Sequence, residues 1–194
     1  MILRKYGVEL HSLSGDDLEL IRCWRNDDFV RERMLFQEEI SSTDQKSWFA
    51  KLDRSMVYLL IIYREARIGL INVRNINWEE RSGEAGILMG DESYRNSFVP
   101  MLAVFCLMDV FFKEFQFSQL TARVRKDNQN ALNFNRDLGY RIQEEYPDHY
   151  LLTVSPEEYQ KKKEQLKRVL AKFDFEKCEN AFSQSESAYL FLRK

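Results

Sequence analysis

Gly86-Ile87-Leu88-Met89-Gly90-Asp91-Glu92-Ser93-Tyr94-Arg95-Asn96-Ser97-Phe98-Val99-Pro100 runs straight into an apolar stretch, Met101 to Phe112. Residues 86 to 89 form a short hydrophobic run closed by Gly90, the pattern of an interior strand. Ser97 is a candidate cap for the helix that follows, and Pro100 is tolerated in a first turn, where backbone N–H groups lack helical partners. The helix is apolar almost all the way round, so it belongs in a core. A strand-to-helix turn of this kind aims free N–H groups and a positive helix end at one point, which makes it an anion site.

Working outward, residues 2 to 13 alternate loosely and read as a first strand. Ser14-Gly15-Asp16-Asp17 opens a helix with Leu18, Ile21 and Trp24 on one side, and Trp24-Arg25-Asn26-Asp27 ends or bends it. A second helical piece spans Phe29 to Leu35, and Ser41-Ser42-Thr43-Asp44 caps a third. Met56 to Tyr63 and Ile68 to Val73 read as a hairpin around Arg64-Glu65-Ala66-Arg67, joined through the polar link Asn75 to Ser82 by the strand Gly83 to Gly90. Beyond the central helix (about 98 to 115) come a strand at Leu120 to Val124 and a helix at Asn128 to Leu138. Gly139 closes that helix, and a strand pair follows around Tyr146-Pro147-Asp148-His149. Ser155-Pro156-Glu157-Glu158 starts a charged helix through Lys172 with a solvated face, and Tyr189 to Leu192 reads as an edge strand. The order predicts α+β or mixed α/β architecture.

At 194 residues the chain suffices for one domain with a substantial core. A net charge of −2 argues against a dedicated nucleic-acid binder. The longest apolar run contains Asp109 and falls short of the ~20 residues that span a bilayer, so no membrane association is expected. The N-terminus has no signal-peptide pattern. The three cysteines, Cys23, Cys106 and Cys178, are far apart in the sequence and form no metal spacing. The expected setting is reducing cytoplasm, with no metal.

Four local patterns in this order resemble the GNAT superfamily of acyl-CoA N-acyltransferases. They fit best the branch that acetylates ribosomal-protein N-termini and 4-amino nucleotide sugars. Leu18 to Asn26, with Trp24-Arg25-Asn26-Asp27, is similar to that branch's first helix. Ile40-Ser41 with Gln45 and Trp48-Phe49 is similar to its next helix. Gly83 to Asp91 with Tyr94-Arg95 is similar to its fourth strand and the entry to the pyrophosphate loop. Asp127-Asn128-Gln129-Asn130-Ala131 followed by Leu138-Gly139-Tyr140 is similar to its Asn-x-x-Ala…Leu-Gly-Phe/Tyr signature.

The resemblance covers roughly residues 2 to 154, with residues 155 to 194 as a C-terminal helical extension packed on the same domain. It implies a central twisted mixed sheet of about seven strands, splayed at its centre, with helices on both faces. It implies acetyl transfer from acetyl-CoA to a primary amine on a nucleotide-linked amino sugar or a protein N-terminus, and a possible homodimer. Leu88 and Met89 would offer N–H groups to the thioester. Arg95, Asn96, Ser97, Phe98, Val99 and Asn128 would hold the rest of the cofactor, and Asn128 also reads as the N-cap of its own helix.

Glu84 and Glu79 are candidate proton acceptors for the amine, and each also reads as a solvated or salt-bridged strand acid. Asn135 stands where the family often carries a thiol-facing tyrosine. Trp24 and Trp78 are candidates to stack on an acceptor, or core residues. Arg25 and Asn26 resemble acceptor-side positions, and Arg25 is suited to a phosphate or carboxylate or to a helix-terminal ion pair. One departure stands out. The family loop is Arg/Gln-x-x-Gly-x-Gly/Ala, and here Phe98 and Pro100 replace both glycines, which opens the alternative of a catalytically degenerate binding or regulatory protein that does not use acetyl-CoA.

Overall fold

The computed structural model describes residues 2–170, and the expected strand at Tyr189 to Leu192 lies outside them. One eight-stranded sheet organises the chain, in the order β1-β2-β3-β4-β5-β6-β8-β7. The first strand predicted from the sequence is a hairpin instead, β1 (Ile2–Lys5) and β2 (Val8–Ser12), which brings the count to eight. Its two-residue turn, Tyr6-Gly7, sits at φ 59° and 73°, the positive-φ pair whose twist suits a tight hairpin. Strands β3 (Val57–Tyr63) and β4 (Ala66–Asn77) are joined in the same way through Arg64 and Glu65, both at positive φ. The link read as polar after Val73 is partly strand, because β4 continues to Asn77 before turning into β5 (Ser82–Met89).

Helices cover both faces. Helices α1 (Leu18–Asn26), α2 (Asp28–Arg31) and α3 (Ser42–Ala50) lie on one side. There Ile21 and Val30 pack on Leu60, Leu70 and Leu88 of the sheet. The second helical piece is one turn rather than the predicted span to Leu35. Ser41 caps α3 by accepting from Asp44 N at 3.1 Å.

On the other face, a one-turn helix α4 (Glu92–Arg95) leads into α5 (Val99–Asp109), which buries ten of its eleven residues and forms the centre of the core. A π-helical turn, Val110–Glu114, ends it. Strand β6 (Gln119–Arg125), helix α6 (Gln129–Asp137), strands β7 (Arg141–Glu145) and β8 (His149–Val154), and helix α7 (Pro156–Leu170) complete the described chain. Helix α7 presents Tyr159 and Lys163 to the same core, so the lysine-rich stretch expected to be a solvated face has one lysine pointing fully inward.

Two strands break the antiparallel rule. Strands β5 and β6, joined by the α4–α5 crossover, pair in parallel only at Ser82–Gln119, Gly83–Leu120 and Glu84–Thr121. Strand β5 then runs on to Met89 beside β4, and β6 runs on to Arg125 beside β8. The sheet therefore splits between Glu84 and the far ends of these strands.

Candidate active site

The split encloses a cavity of about 300 Å³ that passes through the sheet. Side chains alternate across a strand, so each half of the cavity inherits one face. Glu84, Gly86 and Leu88 of β5 share a face with Tyr58, Asn72 and Arg74 and with Thr121, Arg123 and Arg125 of β6. That half, under α1, is polar. The opposite half is apolar, lined by Val104, Leu107 and Met108 of α5, Ala122 and Val124 of β6, and Ala131, Phe134 and Leu138 around α6.

The polar half carries one buried carboxylate and a surplus of guanidinium groups. Arg74 Nη2 and Nε donate to Glu84 Oε1 at 2.5 and 3.1 Å. Oε2 of the same carboxylate is less tightly held, with Asn75 Nδ2 at 3.3 Å and Arg123 Nη1 at 3.6 Å. Burial works to lower Arg74, and the contacts with Glu84 overcome it and raise the guanidinium above its ordinary pKa. Arg25 has no such partner. Its Nε is buried without a hydrogen bond, and burial, assisted by the like charge of Arg74, holds the group below the usual guanidinium value. Arg33, stacked on the Phe29 ring at 3.6 Å, and Arg125, paired with Asp127 at 2.6 Å, complete the lining.

The apolar half ends at the edge of β5. Gly90 N donates to Ile68 O at 3.0 Å, which places Leu70–Leu88 and Asn72–Gly86 among the hydrogen-bonded pairs of the β4–β5 ladder. The N–H of Leu88 is thus spent on β4, and those of Ala85, Ile87 and Met89 point into the split. Of Leu88 and Met89, the pair expected to face a thioester, only Met89 keeps its N–H on the open edge of β5, where Ile87 has one too. Asn128 caps α6, its Oδ1 accepting from Ala131 N at 3.1 Å, and borders the cavity. Asn135 folds its Nδ2 back onto Ala131 O at 2.8 Å, so it offers the cavity an acceptor oxygen rather than an acid.

Other residues singled out from the sequence lie elsewhere. Trp24 lies beneath the strand end, where its ring covers Gly90. Asn26 clamps Ile40, donating to its carbonyl and accepting from its N–H, both at 2.9 Å. Trp78 donates to Arg54 O at 2.8 Å and packs edge-on against Phe115 and Phe117. Glu79 is exposed in the β4–β5 turn, at the end where β5 and β6 are still paired. Of the expected acceptor set, only Arg25 lines the cavity.

The polar lining residues that sequence reading passed over are Arg33, Tyr58, Asn72, Arg74, Arg123 and Arg125. Alternation would have found Arg123, since Ala122 and Val124 on either side of it are core residues. Among the described residues no group of three or more His, Cys, Asp or Glu side chains could hold a metal ion, and no helix is long and apolar enough to cross a membrane.

The turn from β5 to α5 closes on itself. Asp91 caps α4 by accepting from Ser93 N, and the N–H groups of Asn96 and Ser97 both turn to Tyr94 O. Ser97 Oγ donates to that carbonyl at 2.8 Å and accepts from Val99 N at 3.2 Å. Arg95 is drawn back to Met89 O at 3.3 Å, Gly90 O at 3.1 Å and Asp27 Oδ1 at 3.2 Å, and lies over the Phe29 ring. Phe98 is 47% exposed.

Solved structures share this architecture. The spermidine N-acetyltransferase of Vibrio cholerae, in complex with CoA and spermine, is 19% identical, with a TM-score of 0.70 over 79% of this chain and 98% of that one. FdhC, described as a nucleotide-linked sugar GNAT, is 17% identical with a TM-score of 0.72 over 87% and 97% of the two chains. The Campylobacter jejuni N-acetyltransferase PseH is 22% identical with a TM-score of 0.59 over 77% and 99%. No curated protein sequence matches this chain. The profile of the acetyltransferase (GNAT) domain matches residues 8–141, which span β2 to the start of β7 and include both walls of the split, and the chain belongs to that family of acetyltransferases.

Proposed function

We propose that the chain transfers an acetyl group from acetyl-CoA to a primary amine on an acceptor that also carries phosphate, of which a nucleotide-linked amino sugar is the class. The observation that carries this reading is the guanidinium surplus on the acceptor face: Arg25, Arg33, Arg74, Arg123 and Arg125 against the single lining carboxylate of Glu84. A phosphate oxygen about 4 Å from one guanidinium gains about 4 kcal/mol at the effective dielectric of a protein surface. A polyamine, the acceptor named for the Vibrio enzyme, would bring further positive charge to the same wall. Arg25, buried with an unpaired Nε, is the natural phosphate ligand, because an anion would restore the hydrogen bond it lacks.

The chemistry needs an unprotonated amine beside the thioester carbonyl. Attack forms the C–N bond, the C–S bond breaks, and the thiolate leaves into the apolar half. The ladder edge at Ile87 and Met89 supplies the N–H groups that stabilise the developing oxyanion. Glu84 Oε2, the carboxylate oxygen that Arg74 leaves free, takes the amine proton directly or through a water. Asn135 lies on the thiol side and cannot protonate the leaving group, so that proton comes from solvent.

A thiol-release assay with acetyl-CoA tests the reading against three acceptors: a nucleotide-linked 4-amino sugar, the free amino sugar, and spermidine. The expected order has the nucleotide-linked acceptor at least 100-fold ahead in kcat/KM, and Arg25→Ala removes most of that lead through KM. Preferential acetylation of spermidine would overturn the reading.

A further inference from the structure

We infer that the donor site grips its thioester through the pantetheine arm alone, so that acyl-phosphopantetheine lacking the adenine nucleotide serves as well as acetyl-CoA. The inference rests on the acetyltransferase reading of the same cavity. A diphosphate cradle at the β5–α5 turn needs several free N–H groups, and between Asn96 and Pro100 this turn keeps one, that of Phe98. The Asn96 and Ser97 N–H groups go to Tyr94 O, Val99 N goes to Ser97 Oγ, and Pro100 has none. The Phe98 side chain is 47% exposed. Arg95, the one cation of the turn, is committed to the carbonyls of Met89 and Gly90 and to Asp27.

The arm's own site is intact by contrast. The apolar channel between α5 and α6 is open, walled by Val104, Leu107, Met108, Phe134 and Leu138. Along it, β5 presents the unpaired edge that two amide groups of a pantetheine chain pair with as an added strand would.

Calorimetric titration of the full-length protein with CoA, 4′-phosphopantetheine and adenosine 3′,5′-bisphosphate separates the possibilities. The expected result is that CoA and 4′-phosphopantetheine bind within about threefold of each other, while the bisphosphate at millimolar concentration neither binds nor competes. CoA binding more than 30-fold tighter than 4′-phosphopantetheine, or competition by the bisphosphate, overturns the inference and leaves the acetyltransferase reading standing. Absence of binding by both CoA and 4′-phosphopantetheine to protein shown folded by circular dichroism overturns the reading and the inference together.

Phosphopantetheine reaches an enzyme either free or on a carrier protein. Titration with holo and apo acyl carrier protein distinguishes the two. Holo protein binding more tightly than the free arm assigns a carrier-borne donor, and equal or weaker binding assigns a free one. Replacing Phe98 and Pro100 with glycine is expected to tighten CoA at least tenfold and leave 4′-phosphopantetheine unchanged. Equal tightening of both would count against the inference, and the ligand series on the unaltered protein decides it should the variant not fold.

Discussion

Lys163 Nζ lies 2.5 Å from Asp109 Oδ1, with the two side chains 1% and 2% exposed, 54 residues apart in the chain. Tyr6 and Lys5 donate to Oδ2 of the same carboxylate, each at 2.6 Å, and Tyr159 donates to Oδ1 at 3.0 Å. Helix α7 is thus tied to the end of α5 and to the β1–β2 turn through one buried acid. Lys163→Met leaves that carboxylate buried with only the partly exposed Lys5 and the more distant Lys113, 3.7 Å from Oδ1, as counter-charges. Breaking such a pair from one side costs about 3 kcal/mol. The double change Asp109→Asn with Lys163→Met removes the stranded charge and is expected to recover at least half of that loss. Urea midpoints of the two variants at pH 7 provide the comparison.

The same cluster gives the protein an acid limb. Burial alone would raise the Asp109 carboxyl, but hydrogen bonds from Lys163, Lys5 and Tyr6 outweigh it and hold the group well below the usual carboxylate range. The unfolded chain therefore binds a proton at Asp109 before the folded chain does. Stability from this group is complete above about pH 4, the ordinary aspartate value, and drains away as pH falls toward the lower folded value. The gap in unfolding free energy between the unaltered protein and the double change Asp109→Asn with Lys163→Met, which leaves no stranded lysine to titrate, should be constant from pH 7 to 5. It should then narrow by about 1.4 kcal/mol for each pH unit below 4. A gap that stays constant down to pH 2 would show that Asp109 does not titrate differently in the two states.

Neither Asp109 nor Lys163 announced its partner in the sequence. Asp109 looks like an interruption in an apolar run and Lys163 like one of three consecutive lysines, and nothing local encodes a contact between them. The central strand, turn and helix were legible because hydrophobic period, Gly90 and Pro100 agree on one local answer. So were the α6 cap at Asn128 and the hairpin of β3 and β4. The turn at Tyr6-Gly7 was missed because Tyr6 is a rare residue at positive φ. At the site, residue type misled where neighbours decide. Trp24, Asn26 and Trp78 have side chains suited to binding, yet each is consumed by a packing or clamping contact. Arg74 and Arg123 look like ordinary strand surface until the split between β5 and β6 makes their face a cavity wall.

The contact between Trp24 and Gly90 is tight enough to measure. A Cβ added at Gly90 would fall 2.1 Å from the Trp24 ring, so Gly90→Ala must displace the ring or the strand end. Overpacking of this kind costs about 2 kcal/mol. Trp24→Leu makes room at the expense of a cavity, and the double variant should cost less than the sum of the single ones. Thermal unfolding of all four proteins gives the coupling. Additive costs would mean that the ring moves freely and does not fix the end of β5.

Glu84 has two separable jobs at the apex of the split, and one conservative change tells them apart. As the proposed proton acceptor it should matter for kcat, because a positioned base contributes about 100-fold or more. As the counter-ion of Arg74 and Arg123 it competes with the acceptor's phosphate for the same guanidinium groups. Glu84→Gln keeps a hydrogen-bond acceptor for Arg74, which limits damage to the fold, but can neither take a proton nor neutralise the arginines. The expected result is kcat lower by about 100-fold with KM for the nucleotide-linked acceptor unchanged or reduced. A KM that falls while kcat stays within threefold would assign Glu84 to charge balance alone, and the amine proton would then leave through solvent.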